Sequence, residues 1–151
     1  MAALFSVANL LVLPFWLLMI ALPRWRWTER ILRSPLVAVP PAVLYAALVL
    51  PRLPELLPAV ANPTLADIAA LLGTDQGATV AWLHFLAFDL LIGRWAYLDG
   101  RLRGLSLWLM APLLLLILLL GPLGFLLYLG ARALPLGGSS RAPAARPGAA
   151  L

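Results

Sequence analysis

WLHFLAFDLLIGRWAYLDG, residues 82–100, decides the fold. It is an apolar run of helix length, yet it places His84, Asp89, Arg94 and Asp99 within or beside that run. An Arg, Lys or Asp at the centre of a membrane span costs roughly 2.5–3.5 kcal/mol on insertion scales. Groups kept there against that cost need partners or a task.

The rest of the chain has the same character. Of 151 residues 64% are apolar and only 11% charged, against about 25% charged in soluble domains, and mean hydropathy is +0.99. At about 20 apolar residues per span, the expectation is an all-α integral membrane bundle of about four transmembrane helices, with no room for a separate soluble domain. Net charge is +5, but the arginines are scattered through short loops, which fits positive-inside orientation better than nucleic-acid binding. The absence of cysteine excludes disulfides, thiolate metal sites and cysteine nucleophiles. With a single histidine, one chain cannot assemble a multi-histidine di-iron site, so no metal is expected. No cofactor is expected either, since GxGxxG, GxxxxGK[ST] and GxSxG are all missing.

Outward from residues 82–100, the third span covers 78–98 and ends at the basic loop DGRLRG. A first span over 4–22, interrupted by Pro14, lacks the basic n-region and cleavage site of a signal peptide and reads as retained. It ends at PRWRWTERILRS, where Arg24, Arg26, Arg30 and Arg33 oppose Glu29, and Trp25 and Trp27 suit headgroup depth. A second span over 36–50 is followed by PRLPELLPAVANP, whose prolines read as an extended connection. Thr64 caps a short helix over 64–72, which GTDQG breaks. The fourth apolar run, 105–134, is longer than one crossing and too short for two; it either kinks at Gly121 and Pro122 or lies partly in the interface. Two basic loops around an acidic one predict four antiparallel spans with both termini outside, although Arg132 then falls on the outer side. Residues 1–134 form the transmembrane domain, and the Pro/Gly-rich residues 135–151 are expected to be a disordered tail.

The candidate chemistry lies in the third span. At 100° per residue His84, Phe88, Leu91, Trp95 and Asp99 share one stripe, while Asp89 and Arg94 point elsewhere, so other spans must complete any site. Asp89 lies deepest and needs a cationic partner, a neutral state or a water-filled cavity. Asp99 with Arg103 at i+4 reads as an ordinary ion pair. Asn9 in the first span reads as an interhelical hydrogen-bonding group or a functional one; Trp16 reads as a lipid contact, with an aromatic wall for an apolar ligand as the alternative. The absence of an internal repeat, with few charges, argues against a small transporter gated by Asp89 and Arg94.

FSVANLLVLPFWLLMIALP (5–23) and AWLHFLAFDLLIGRWAYLDG (81–100), in this order and spacing, resemble the abscisic-acid-deficient-four family of small membrane proteins. The likeness covers most of 4–128. Its plant members act as neoxanthin synthases, converting epoxide-bearing violaxanthin to allenic neoxanthin. The resemblance implies a membrane protein that binds or isomerises a carotenoid or related isoprenoid without a cofactor. Such a rearrangement needs a base and an acid, for which the catalytic candidates are Asp89 as base, His84 as acid and Arg94 as stabiliser of negative charge. Asn9, Trp16, Trp95 and Asp99 are the ligand-binding or structural polar candidates. The alternative is a non-enzymatic pigment-binding or assembly protein. Partners would be membrane lipid, the isoprenoid ligand and a second copy of the chain. The Ala, Leu, Arg and Pro bias suggests a bacterial inner membrane.

Overall fold

The computed structural model describes residues 1–134; the expected tail, 135–151, lies outside them. The described residues are helical throughout: α1 (Ala2–Ala21), α2 (Arg26–Arg33), α3 (Val39–Val49), α4 (Leu53–Ala61), α5 (Leu65–Leu72), α6 (Asp75–Leu102) and α7 (Leu107–Ala133), with 3-10 turns at Pro35–Ala38 and Leu50–Arg52. Four helical stretches, Ala2–Ala21, Pro35–Ala61, Asp75–Leu102 and Leu107–Ala133, are long and apolar enough to cross a membrane. The chain is an all-α integral membrane protein.

Two segments differ from the sequence reading. The proline-rich connection after residue 50 is helix, not extended chain. Pro51 and Pro54 open the Leu50–Arg52 turn and α4 at first-turn positions, where the missing N–H has no intrahelical partner and the fixed φ suits a helix. The second span therefore continues to Ala61. The basic stretch after α1 is likewise not a loop but contains α2, docked through buried Thr28 and Leu32. Thr28 Oγ1 donates to the Leu22 carbonyl at 2.7 Å. The Thr64 cap forms as expected, accepting from Asp67 N–H at 3.2 Å.

α6 is the central pillar. α1 runs parallel to it: Trp82 Nε1 donates to Asn9 Oδ1 at 3.1 Å, and Tyr97 Oη donates to the Pro23 carbonyl at 2.9 Å. α3 runs antiparallel, with Tyr45 against His84 and Arg52 against Gln76. The core joins Val12, Trp16 and Met19 of α1 to Leu83 and Leu90 of α6 and Leu114 and Ile117 of α7. Exposed Leu10, Leu17, Leu119 and Leu126 form the outer face that lipid covers.

α7 breaks at Leu120 and Gly121, at the place of the first of the two alternatives, but the break is a reversal. Leu105 N–H donates to the Gly100 carbonyl at 2.9 Å, so α7 starts beside the end of α6. A straight helix would then carry Tyr128 and Arg132 about 30 Å away. Instead Tyr128 Oη donates to Asp99 Oδ2 at 2.5 Å, and Arg132 Nε pairs with the same oxygen at 2.9 Å. The non-helical angles at Leu120 and Gly121 fold residues 107–119 and 122–133 into a helical hairpin. A Cβ on Gly124 would lie 2.3 Å from Ile117 N, so the limbs touch backbone to backbone. The hairpin enters and leaves at one end of the bundle. Its second limb returns to the side of α2 and residues 99–104, which corrects the expectation that Leu134 lies with the N-terminus. The same reversal accounts for Arg132, which joins the other arginines of the basic end.

Candidate functional site

The hairpin tip meets α6 midway along its length, at Asp89. Gly121 makes this approach possible, since a Cβ there would lie 2.5 Å from Asp89 Oδ1. Around the contact is a cavity of about 700 Å³ lined by Asp89, His84, Phe88, Ile92, Pro122 and Phe125, among other apolar groups. Among the described residues the Asp89 carboxylate accepts no hydrogen bond and pairs with no cation; every ion pair engages Glu29, Glu55 or Asp99.

His84 lines the same cavity although it stands five residues from Asp89 and well round the helix. It stacks on Phe88 with centroids 4.7 Å apart, and Tyr45 tilts against it at 5.6 Å. These rings fix the imidazole plane. An imidazole and a carboxylate in one mainly apolar hollow can take up and release a proton on either side of a bound molecule.

Arg94 does not join them. Its Nε donates to the Leu32 carbonyl at 2.5 Å and its Nη2 to the Arg33 carbonyl at 2.7 Å, so it caps the C-terminus of α2. Asp99 and Trp95 form a separate cluster at the basic end. Asp99 Oδ2 accepts from Arg103 Nε at 2.8 Å and from Tyr128, and Trp95 meets Tyr128 and Phe125 edge-on with the Arg132 guanidinium 5.2 Å above its ring. Trp16 is 1% exposed, packed against Gly93, with an indole N–H that finds no partner among the described residues. It is core and lines neither wall of the cavity. Asn9 pins α1 to α6 through Trp82. Sequence reasoning missed the cavity's second wall, Pro122 and Phe125, because only the hairpin brings it to Asp89.

Electrostatics separate the two ends of the bundle. Arg24, Arg26, Arg30, Arg33, Arg94, Arg101, Arg103 and Arg132 gather at one end against Glu29 and Asp99. The other has Arg52 against Glu55, Asp67 and Asp75. At the basic end the hydrogen bond from Arg33, at 2.6 Å, and the charge of Arg101 hold the Glu29 carboxyl below the usual glutamate range.

Helical bundle, folded-back hairpin and apolar cavity with two ionisable groups together define a small polytopic membrane protein built round a laterally open site midway along α6. The chain belongs to the ABA DEFICIENT 4-like family, whose model matches residues 3–128. It is 30% identical over 105 residues to Protein ABA DEFICIENT 4, chloroplastic, of Arabidopsis thaliana. The alignment covers 66% of this chain and 48% of that protein, so the chain spans about half the length of this curated relative. No solved structure matches the chain.

Proposed function

We propose that the protein binds a carotenoid or related isoprenoid in the cavity at the hairpin tip and isomerises it by proton transfer, as a neoxanthin-synthase-like enzyme of a bacterial inner membrane. The observation that carries this reading is Asp89: a carboxylate without a cation or hydrogen-bond donor among the described residues, midway along a span, facing a cavity of about 700 Å³ with His84 on its wall. An idle carboxylate there is costly. In an epoxide-to-allene rearrangement Asp89 removes the proton beside the polyene. The released electron pair forms the new C=C bond as the C–O bond of the epoxide breaks, and His84 protonates the departing oxygen. No electron enters or leaves, so no redox cofactor is required.

The test is extraction of pigment from the purified protein, followed by conversion assays on Asp89→Asn. This substitution keeps shape and hydrogen bonding while removing the ionisable proton. The variant is expected to accumulate normally, to bind the polyene and to convert none of it; full conversion would refute the base. One observation favours a second reading, pigment binding without turnover: Arg94, the candidate stabiliser of negative charge, is committed to the carbonyls of α2. In that case the wild type retains pigment and returns it unchanged.

A further inference from the structure

Beside the cavity at Asp89 lies a second hollow of about 320 Å³, toward the far end of α6, between α3–α4 on one side and α5–α6 on the other; His84 and Phe85 line both. Its walls are apolar, with Leu48, Leu56, Leu72 and Ala81 among them. Hydrogen-bonding groups gather at its end. There Arg52 Nη1 donates to Gln76 Oε1 at 2.5 Å, and Arg52 Nε donates to Glu55 at 3.1 Å. Arg52 thus takes the Gln76 oxygen and leaves the amide nitrogen as the donor for anything that enters. Gln76 and Asp89 lie thirteen residues apart on one unbroken helix, about 20 Å.

A groove that is mainly apolar along its length, with His84 and Tyr45 the polar-tipped groups between its ends, selects by shape and by end group together. A phospholipid tail satisfies only the Arg52 end, because its terminal methyl would be left against the Asp89 carboxylate, the group that most needs a polar neighbour. A rod with an oxygen function at each end satisfies both.

We infer that the two hollows form one ligand channel, and that Gln76 and Arg52 are its specificity-determining residues, binding an oxygen function at the far end of a rod-shaped isoprenoid whose reacting end lies at Asp89. This rests on the proposed role of Asp89, and it assigns to the far end of the molecule a site that reads length and end-group polarity.

The test uses polyenes of graded length, each as the hydrocarbon and as the terminal alcohol, with binding to the full-length protein in detergent read from pigment absorbance after size exclusion. Wild type is expected to prefer the long alcohol to its hydrocarbon by about tenfold, one hydrogen bond's worth. Gln76→Leu should abolish that preference and leave hydrocarbon binding unchanged. Ala81→Trp on α6, and Leu48→Trp from α3 on the opposite wall, should shorten the longest polyene accepted while short ones bind as before; two variants on different helices guard against a folding defect in either. An alcohol preference that survives Gln76→Leu, or a length limit unmoved by both tryptophans, overturns the channel while leaving the Asp89 cavity standing. Failure of wild type to bind any polyene overturns both.

Discussion

At Gly93 the ring of Trp16 occupies the space a side chain would need: a Cβ would lie 2.3 Å from Cη2 of the indole. Trp16 is fully buried and cannot swing aside without opening the α1–α6 contact. Gly93→Ala should therefore destabilise the bundle by about 1–3 kcal/mol, the range for overpacked cores. A thermal melt in detergent checks it, and an unchanged midpoint would mean α1 adjusts more freely than its packing implies. Some single residues announce themselves in the sequence and others do not. Asp89 and His84 stand out because ionisable groups in an apolar run are conspicuous. The engagement of Arg94 was not legible, because its acceptors are the main-chain carbonyls of Leu32 and Arg33, which every residue carries and no side-chain pattern marks. The reading of Trp16 as a lipid contact is overturned, since the ring is 1% exposed and packs on Gly93 of another helix, a neighbour that the first span's own sequence does not reveal.

Among the elements, α2 and the α7 hairpin show what each kind of reading can reach. α2 is held by Thr28, by Arg94 and by the pairing of Glu29 with Arg33 and Arg101. Because Glu29 ionises more readily in the folded protein than in the unfolded chain, its contribution is complete above the unfolded value, roughly pH 4.3. It is lost as pH falls through the lower folded value. Protection of the α2 amides, relative to their intrinsic exchange at each pH, should fall below about pH 4, and Glu29→Gln should show lower protection at neutral pH and no such acid step. In the hairpin, Gly124 meets the backbone of Leu116 and Ile117, atoms that cannot rotate away. Gly124→Val should part the limbs at a cost of about 3 kcal/mol or more and break the Tyr128–Asp99 bond. Cysteine pairs placed across the limbs would report the separation by failing to cross-link. The position of the break was readable from Gly121 and Pro122, but its angle was not, since that depends on what each limb finds to pack against. The prolines at 51 and 54 misled in the opposite direction: they break helices in mid-run and start them in the first turn, and which role applies depends on where the previous helix ends.

For the whole molecule, the hairpin decides at which end of the bundle the fourth candidate span finishes. Three helical columns traverse the bundle and α7 returns to the end it left, so Leu134 belongs on the side of Thr28 and opposite Asn62. Reporter fusions after these three positions should give matching activity at Thr28 and Leu134 and the contrary result at Asn62. Agreement of Leu134 with Asn62 would mean that α7 crosses after all. The all-α class, the number of apolar segments and the basic and acidic ends were legible from composition and arginine placement, because hydrocarbon imposes both. The path of the last segment was not, because one long apolar run has the same composition whether it crosses or doubles back.

The hairpin reaches from the basic end only as far as Asp89, and beyond its tip α6 has no such cover: Trp82, Phe85 and Phe88 face outward there. The two leaflets of the bilayer therefore meet different proteins. On the basic side the hairpin packs over α6; on the other the flank of α6 lies open toward the carboxylate. On the proposed reading, the isoprenoid would enter from the leaflet away from the arginines, and one confined to the basic leaflet would have to flip before it could reach Asp89.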